Sequence, residues 1–230
     1  MCEILAVHWP SARPFRDVMP WAEKIEHYGF GRFGWGVAWL DDGRVGSHRF
    51  PGSLHEDPEL DRGLLDVRST RFLVHFRRPN RLSTVQLADT HPFVDDARRF
   101  AFCHNGTFAR EPEYRPRYES RLAGKADSEV GFRMLEDLLA EGRRPADALS
   151  ELYELLGGRA NIGLLAADGE LLVFNAYPQN RMFRFRTAGA EVAATELHSA
   201  DDSLFTLVFP EATDRQAVRD AEAVATAVSP

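Results

Sequence analysis

The chain reads as an α/β sandwich: two stacked sheets of mixed or antiparallel strands with helices outside them. Two observations lead there. Apolar runs of strand length lie on both sides of two consecutive helical segments, and no regular alternation of strand and helix calls for a parallel βαβ array. A chain of 230 residues that is 44 % hydrophobic can bury a substantial core, and one domain over residues 1–230 is expected. No repeat, low-complexity tract or linker divides it.

Glu3 to His8 is an apolar run beginning almost at the first residue, a buried strand that anchors a terminus that would otherwise be loose. Arg16 to His27 has helical spacing. Gly29-Phe30-Gly31-Arg32-Phe33-Gly34-Trp35-Gly36 is a glycine-dense turn into a strand over Val37 to Leu40, and Asp41-Asp42-Gly43 then makes a hairpin turn. Strands over Arg71 to Phe76 and Phe100 to His104 flank a polar, Pro-containing loop from Arg77 to Pro92; loops this long often carry function. Ser128 to Ala140 and Ala146 to Leu156 read as helices, stopped by Gly157-Gly158. Ile162 to Ala167 and Glu170 to Ala176 form a hairpin around Asp168-Gly169. Arg181 to Arg186 and Glu191 to Ala194 add two strands, and Asp214 to Ala227 a closing helix.

The net charge of −7 is spread along the chain, which argues against nucleic acid or an anionic membrane as partner; Arg98-Arg99 reads as a solvated strand end. No run approaches the roughly 18 apolar residues of a membrane span. The N-terminus lacks the basic-then-apolar layout of a signal peptide, so a cytoplasmic protein is expected. Cys2 and Cys103 are too few for a disulfide framework, and free thiols are expected.

Cysteine at position two has chemical meaning because a small second residue permits removal of Met1. One residue then carries a thiol and a free α-amine, whose ordinary pKa of about 7.7–8.0 suits it to take up the thiol proton near neutral pH. Alone, the residue reads more readily as chance or as a buried thiol than as a catalyst. Three further motifs change its weight: His75-Phe76-Arg77 at a strand end, Thr90-His91-Pro92-Phe93 ahead of Phe102-Cys103-His104-Asn105-Gly106, and Ala126-Asp127-Ser128-Glu129-Val130 opening a helix.

In that order behind Cys2, these motifs resemble the class II glutamine amidotransferase domain of the N-terminal nucleophile hydrolases, over about the first two-thirds of the chain. Gly34-Trp35-Gly36-Val37-Ala38-Trp39 is similar to the strand entry of stand-alone members, including those similar to the amidohydrolase of ergothioneine biosynthesis. Two segments depart from the pattern. Phe33 stands where these relatives commonly carry an acidic residue, and His198-Ser199-Ala200-Asp201-Asp202 is only loosely similar to their small-residue and acidic segment.

The resemblance implies a four-layer αββα sandwich, with Cys2 as nucleophile and the Asn105 side-chain amide and Gly106 backbone N–H as oxyanion donors. Glutamine carries a carboxylate and an ammonium at its far end, so its site needs one cation and one anion: Arg77 offers a bidentate fork and Asp127 an acceptor. Asp127 is also a natural N-cap for a helix starting at Ser128. Trp35 is readable as a pocket wall or as core, whereas Phe102 and Phe108 are read as core. His75, His91 and His104 match no usual metal-ligand spacing and are read as structural, with His104 aimed away from the pocket; no metal and no cofactor are expected. Cys103 is read as a small buried residue.

The implied reaction is hydrolysis of the glutamine side-chain amide through a Cys2 γ-glutamyl thioester, releasing ammonia and glutamate. A separate ammonia-accepting synthetase subunit is the expected partner, because no synthetase, P-loop or sugar-isomerase segment follows in this sequence. Hydrolysis of a γ-glutamyl amide conjugate and a non-catalytic glutamine-binding regulatory module stay open as alternatives, as does a homo-oligomer.

Overall fold

The computed structural model of the chain describes residues 2–29, 31–198 and 202–226. The first half of the chain supplies β1 (Glu3–Pro14), α1 (Met19–Gly29), β2 (Trp35–Asp41), β3 (Arg44–Phe50), β4 (Arg68–Phe76), β5 (Phe93–Val94), β6 (Phe100–Phe108) and α2 (Glu111–Tyr118). There follow α3 (Asp127–Ala140), α4 (Pro145–Leu156), β7 (Gly158–Ala166), β8 (Leu171–Ala176), β9 (Met182–Thr187), β10 (Ala190–Thr195), α5 (Ser203–Val208), β11 (Thr213–Ala217) and β12 (Glu222–Ala225).

The strands form two antiparallel sheets, one in the order β11-β9-β10-β1-β4-β2-β3 and the other β12-β8-β7-β6-β5. Alternation along β1 decides how they stack. Leu5 and Val7 pack with Trp21, Ala22 and Ile25 of α1 and with Phe205 and Val208 of α5, while Ile4 and Ala6 face Ala101 and Cys103 of the second sheet. On the far side, Phe102, Ile162 and Phe174 pack beneath Phe132 and Leu135 of α3 and Leu149 and Leu152 of α4. The layers therefore run helix, sheet, sheet, helix, as the family resemblance implies.

The contact between the sheets is lined by small residues, among them Ala6, Ala38, Ala101, Cys103 and Ala193. Gly163 lies at this contact: a methyl group there would stand 2.6 Å from Leu73 Cδ1 and 2.9 Å from Cys103 Sγ. The outer layers hold the large aromatics. Trp9 stacks on Trp21 at 6.1 Å between ring centroids, and Phe132 sits among Phe93, Phe100 and Phe102.

The turns follow the local chemistry of the sequence. Asp42 and Gly43 both take positive φ (44° and 76°), the conformation a two-residue hairpin between β2 and β3 requires. Gly157, at φ 57°, caps α4 at the expected stop.

One expected element is corrected. The helix read over Asp214 to Ala227 does not form: Thr213–Ala217 pairs with β9 and Glu222–Ala225 with β8, and Ala227 lies outside the described residues. The Ala-rich composition favours a helix locally, but β9 and β8 would each otherwise end a sheet with unpaired backbone groups, and pairing there outweighs propensity. Also outside the described residues are Phe30 of the glycine-dense turn and Ser199-Ala200-Asp201. Arg98 and Arg99 are exposed just before β6, with Arg99 paired to Asp95 at 2.8 Å.

Phe132→Ala should empty the aromatic cluster between α3 and the second sheet. The expected loss is about 3–5 kcal/mol of unfolding free energy by urea titration, with an unchanged dependence on denaturant. A loss below about 1 kcal/mol would mean that this layer closes over the gap or contributes little.

Candidate active site

Cys2 stands immediately before β1, at the floor of a cleft of about 560 Å³ that also takes in Arg77, Asn105, Gly106 and Asp127. Four separate elements bring these residues together, Asp127 coming from the start of α3. β1 delivers Cys2, the end of β4 delivers Arg77, and β6 delivers Asn105 and Gly106 opposite Asn161 and Ala160 of β7.

The Cys2 backbone nitrogen donates to Asn105 Oδ1 at 3.2 Å, and its Sγ receives the Arg78 backbone N–H at 3.4 Å. Burial pushes the thiol above its ordinary pKa, while the Arg78 N–H and the Arg77 charge pull the other way. Such a thiol needs a base to become a thiolate near neutral pH.

With its oxygen engaged by Cys2, Asn105 leaves Nδ2 buried and without a hydrogen-bond partner among the described residues. Gly106 has φ 145°, and a Cβ there would collide with the Arg159 carbonyl oxygen, so only glycine lets β6 and β7 approach so closely at the cleft. Arg77 is 4 % exposed; its Nη2 donates to Thr84 Oγ1 at 2.6 Å, whereas Nη1 is buried and has no partner among the described residues. Burial lowers the guanidinium pKa from its ordinary value, opposed by Cys2, Asp89 and Asp127. Two buried donors without acceptors among the described residues therefore border one cleft, an arrangement that is costly unless something polar fills it.

The Asp127-Ser128-Glu129 run is used residue by residue. Asp127 is the first residue of α3 and not its N-cap, a position held by Ala126. One Asp127 carboxylate oxygen accepts the Phe108 N–H at 2.8 Å, tying the helix start to the end of β6. Ser128 bonds His104 Nδ1 at 2.9 Å, and Glu129 accepts the Ala123 and Gly124 N–H groups at 2.8 and 2.7 Å.

His104 turns toward the helical layer, as strand alternation predicts, stacking on Phe108 at 3.9 Å, though it still borders the cleft. The His75 and His91 rings lie 4.4 Å apart between centroids, tilted by 44°. Burial pushes His75 down to about 3 and His91 well below its ordinary range, so both are neutral imidazoles at neutral pH. Among the described residues, no three His, Cys, Asp or Glu side chains are grouped to hold a metal ion. Phe102 is core, and Phe108 is core that also lines the cleft.

Trp35 as a pocket wall is corrected. It is fully buried, stacked on Phe15 at 6.1 Å between ring centroids and 5.7 Å from His48, and packs in the outer core with Val37 rather than lining the cleft. Its place on β2 turns the indole toward the α1 layer. The flanking glycines serve close packing: a Cβ at Gly36 would meet His48 O at 2.7 Å.

Sequence reasoning missed the residues that hold this cleft in shape. Asp89 is fully buried; one oxygen accepts the Lys125 and Ala126 N–H groups, both at 2.6 Å, and the other accepts from Gln86 at 2.7 Å. It thus ties the 77–92 loop to the backbone just before Asp127. Thr84 orients Arg77 in the same way. The length of the loop was a general signal of function, but nothing local distinguishes Asp89 or Thr84 within it.

Over residues 1–223 the chain matches the model of the class II glutamine amidotransferases, and it belongs to that family. The glutamine–fructose-6-phosphate aminotransferase (isomerizing) of Staphylococcus epidermidis is 25 % identical over 150 residues, 62 % of this chain and 24 % of that enzyme. The chain thus spans about a quarter of the length of this curated relative. Among solved structures, the glutamine phosphoribosylpyrophosphate amidotransferase of B. subtilis superposes with a TM-score of 0.75 at 16 % identity, covering 97 % of this chain and 47 % of its own. A glutamine aminotransferase class-II domain protein of Silicibacter pomeroyi gives 0.60 at 20 % identity, over 100 % of both chains. These likenesses establish the shared fold, that of N-terminal nucleophile hydrolase-type amidotransferases.

The neutral buried histidines set a pH dependence. His75 goes from an ordinary 6.5 in the unfolded chain to about 3 in the fold, so below about pH 6.5 the unfolded state binds the extra proton. Stability is present above that pH and is lost as pH falls toward 3. The urea midpoint should drop between pH 7 and pH 5, and drop less in His75→Gln; equal slopes in the two proteins would assign the loss to other groups.

Proposed function

We propose that the chain, once Met1 is removed, hydrolyses the side-chain amide of glutamine with Cys2 as nucleophile. The observation that carries this reading is the placement of the Cys2 thiol and backbone nitrogen in one cleft with two unpartnered buried donors, Asn105 Nδ2 and Arg77 Nη1. Membership of the family supports the reaction class.

In this mechanism the freed α-amine of Cys2 takes the thiol proton, directly or through a water molecule, and the thiolate attacks the amide carbon. The carbonyl oxygen becomes an oxyanion that accepts from Asn105 Nδ2 and the Gly106 N–H. The α-ammonium returns its proton to the nitrogen as the C–N bond breaks, ammonia leaves, and water cleaves the γ-glutamyl thioester to glutamate and free thiol. Arg77 holds the substrate carboxylate, and Asp127 its α-ammonium, with the oxygen it does not use for Phe108. Trp35 has no part in this.

The ammonia passes to an ammonia-accepting synthetase where one is engaged; without such a partner the protein acts as a glutaminase. One observation favours the alternative of a γ-glutamyl amide conjugate: a cleft of about 560 Å³ is in the range that encloses drug-sized molecules and exceeds what glutamine fills. In that case Arg77 and Asp127 hold the same glutamyl end. Turnover rates with glutamine and with a panel of γ-glutamyl amides decide between the two.

The natively processed protein should have the mass of the chain without Met1 and gain one adduct, at Cys2, from an irreversible diazoketone analogue of glutamine. An adduct at Cys103 alone would overturn the mechanism. Asn105→Ala should lower kcat by about 10²–10³. Arg77→Lys should instead act mainly on KM, raising it by about tenfold or more because the bidentate fork is lost. A kcat unchanged in Asn105→Ala would remove that side chain from the oxyanion site.

A further inference from the structure

The cleft explains the side chain of Cys2 but not the buried acid that follows it. Glu3 is fully buried on the opposite face of β1, where its carboxylate meets Thr195 of β10 and Asn180, which precedes β9. Thr195 Oγ1 receives the Ile4 N–H at 3.2 Å and donates to Glu3 Oε2. Asn180 is itself fully buried and spends both amide hydrogens here: Nδ2 donates to Glu3 Oε2 at 3.1 Å and to the Cys2 carbonyl oxygen at 3.4 Å. Its orientation is fixed from the other end, because Oδ1 accepts the His198 N–H at 3.1 Å. Leu197 and His198 both hold positive φ (62° and 52°), an unfavourable conformation for residues with side chains, to deliver that N–H.

The Cys2 carbonyl is therefore held from behind by a side chain that is held in turn by Glu3 and by the His198 backbone. The Cys2 nitrogen is held from the front by Asn105. Fixing both ends of one residue fixes the direction in which its Cα–Cβ bond points. We propose that Glu3 and Asn180 are positioning residues for the nucleophile, setting the angle at which the Cys2 thiol and α-amine meet the cleft. The inference rests on Cys2 being the nucleophile.

Two further observations agree. Burial pushes the Glu3 carboxyl up to about 8, so near neutral pH it is an uncharged hydrogen-bonding group, and its Oε1 has no hydrogen-bond partner among the described residues, with His198 Nε2 at 3.9 Å. Glutamine can make the same bonds as a neutral carboxyl. Gly29, at the end of α1, leaves room for the acid: a Cβ there would lie 2.6 Å from Glu3 Cγ.

The test compares Glu3→Gln, Glu3→Ala, Asn180→Leu and Gly29→Ala with the parent protein, each natively processed and checked for folding by circular dichroism. Steady-state hydrolysis of glutamine is measured together with the rate of Cys2 adduct formation by the diazoketone. Glu3→Ala and Asn180→Leu should lose about 10²-fold in kcat and a similar factor in adduct formation, as expected for a misdirected nucleophile, with KM within about twofold. Glu3→Gln should stay within about threefold of the parent, and Gly29→Ala should fall between, since it displaces the acid without removing it. Should Glu3→Ala fail to fold, Asn180→Leu and Gly29→Ala are judged by the same criteria.

Unchanged kcat in folded Glu3→Ala or Asn180→Leu overturns the inference, as does a loss confined to KM or a Glu3→Gln protein as impaired as Glu3→Ala. A parent protein that forms no adduct at Cys2 overturns the nucleophile reading itself and this inference with it. An active, labelled parent beside unaffected variants removes only the positioning role.

Discussion

The site depends on one constraint: the strand directly after Cys2 runs through the interior of the fold. β1 lies in the interior of the seven-stranded sheet, bonded to β4 on one side and β10 on the other, and Leu5, Val7, Ile4 and Ala6 are all fully buried. A terminus left to itself would fray. Here the strand that follows Cys2 is held by two backbone ladders and by packing on both faces, so Cys2 is carried on a rigid core strand. The seven-residue pairing β2 makes with β3 and the aromatic packing of Trp35 against Phe15 brace the same sheet at the end where β4 hands over to Arg77.

A second constraint is electrostatic. Burial lifts the Cys2 thiol and the Glu3 carboxyl above their ordinary values and depresses His75, His91 and His104. These buried groups therefore favour their neutral forms, while the cleft they border also carries charged side chains, among them Arg77, Lys125, Asp127 and Arg159. In such surroundings a buried donor such as Asn105 Nδ2 interacts more strongly than it would in water.

Much of the architecture is legible in the sequence because the strands of both sheets carry their own apolar patterns and the hairpins carry Asp-Gly turns. The regions that resist reading are those whose conformation is decided elsewhere. The β11 and β12 segments have helical composition and become strands only because β9 and β8 offer edges. α2 is polar, carries Pro112 and Pro116, and has no apolar periodicity by which to recognise it. The cleft divides in the same way. Cys2, Arg77, Asn105, Gly106 and Asp127 could be singled out because their motifs travel together in the sequence. Thr84, Asp89 and Asn180 are ordinary polar residues whose importance lies in partners far along the chain, and Trp35 shows that a suggestive glycine setting can mark packing alone.

The closeness of the two sheets has a consequence for Cys103. Its thiol is sealed between Gly163 and the small residues of the opposite sheet, fully buried, with a pKa driven upward by that burial. A reagent can reach it only when the sheets part. Cys103 is thus a native clock for global opening: in protein whose Cys2 is already blocked, its slow modification would time how often the sandwich comes apart, without any engineered probe.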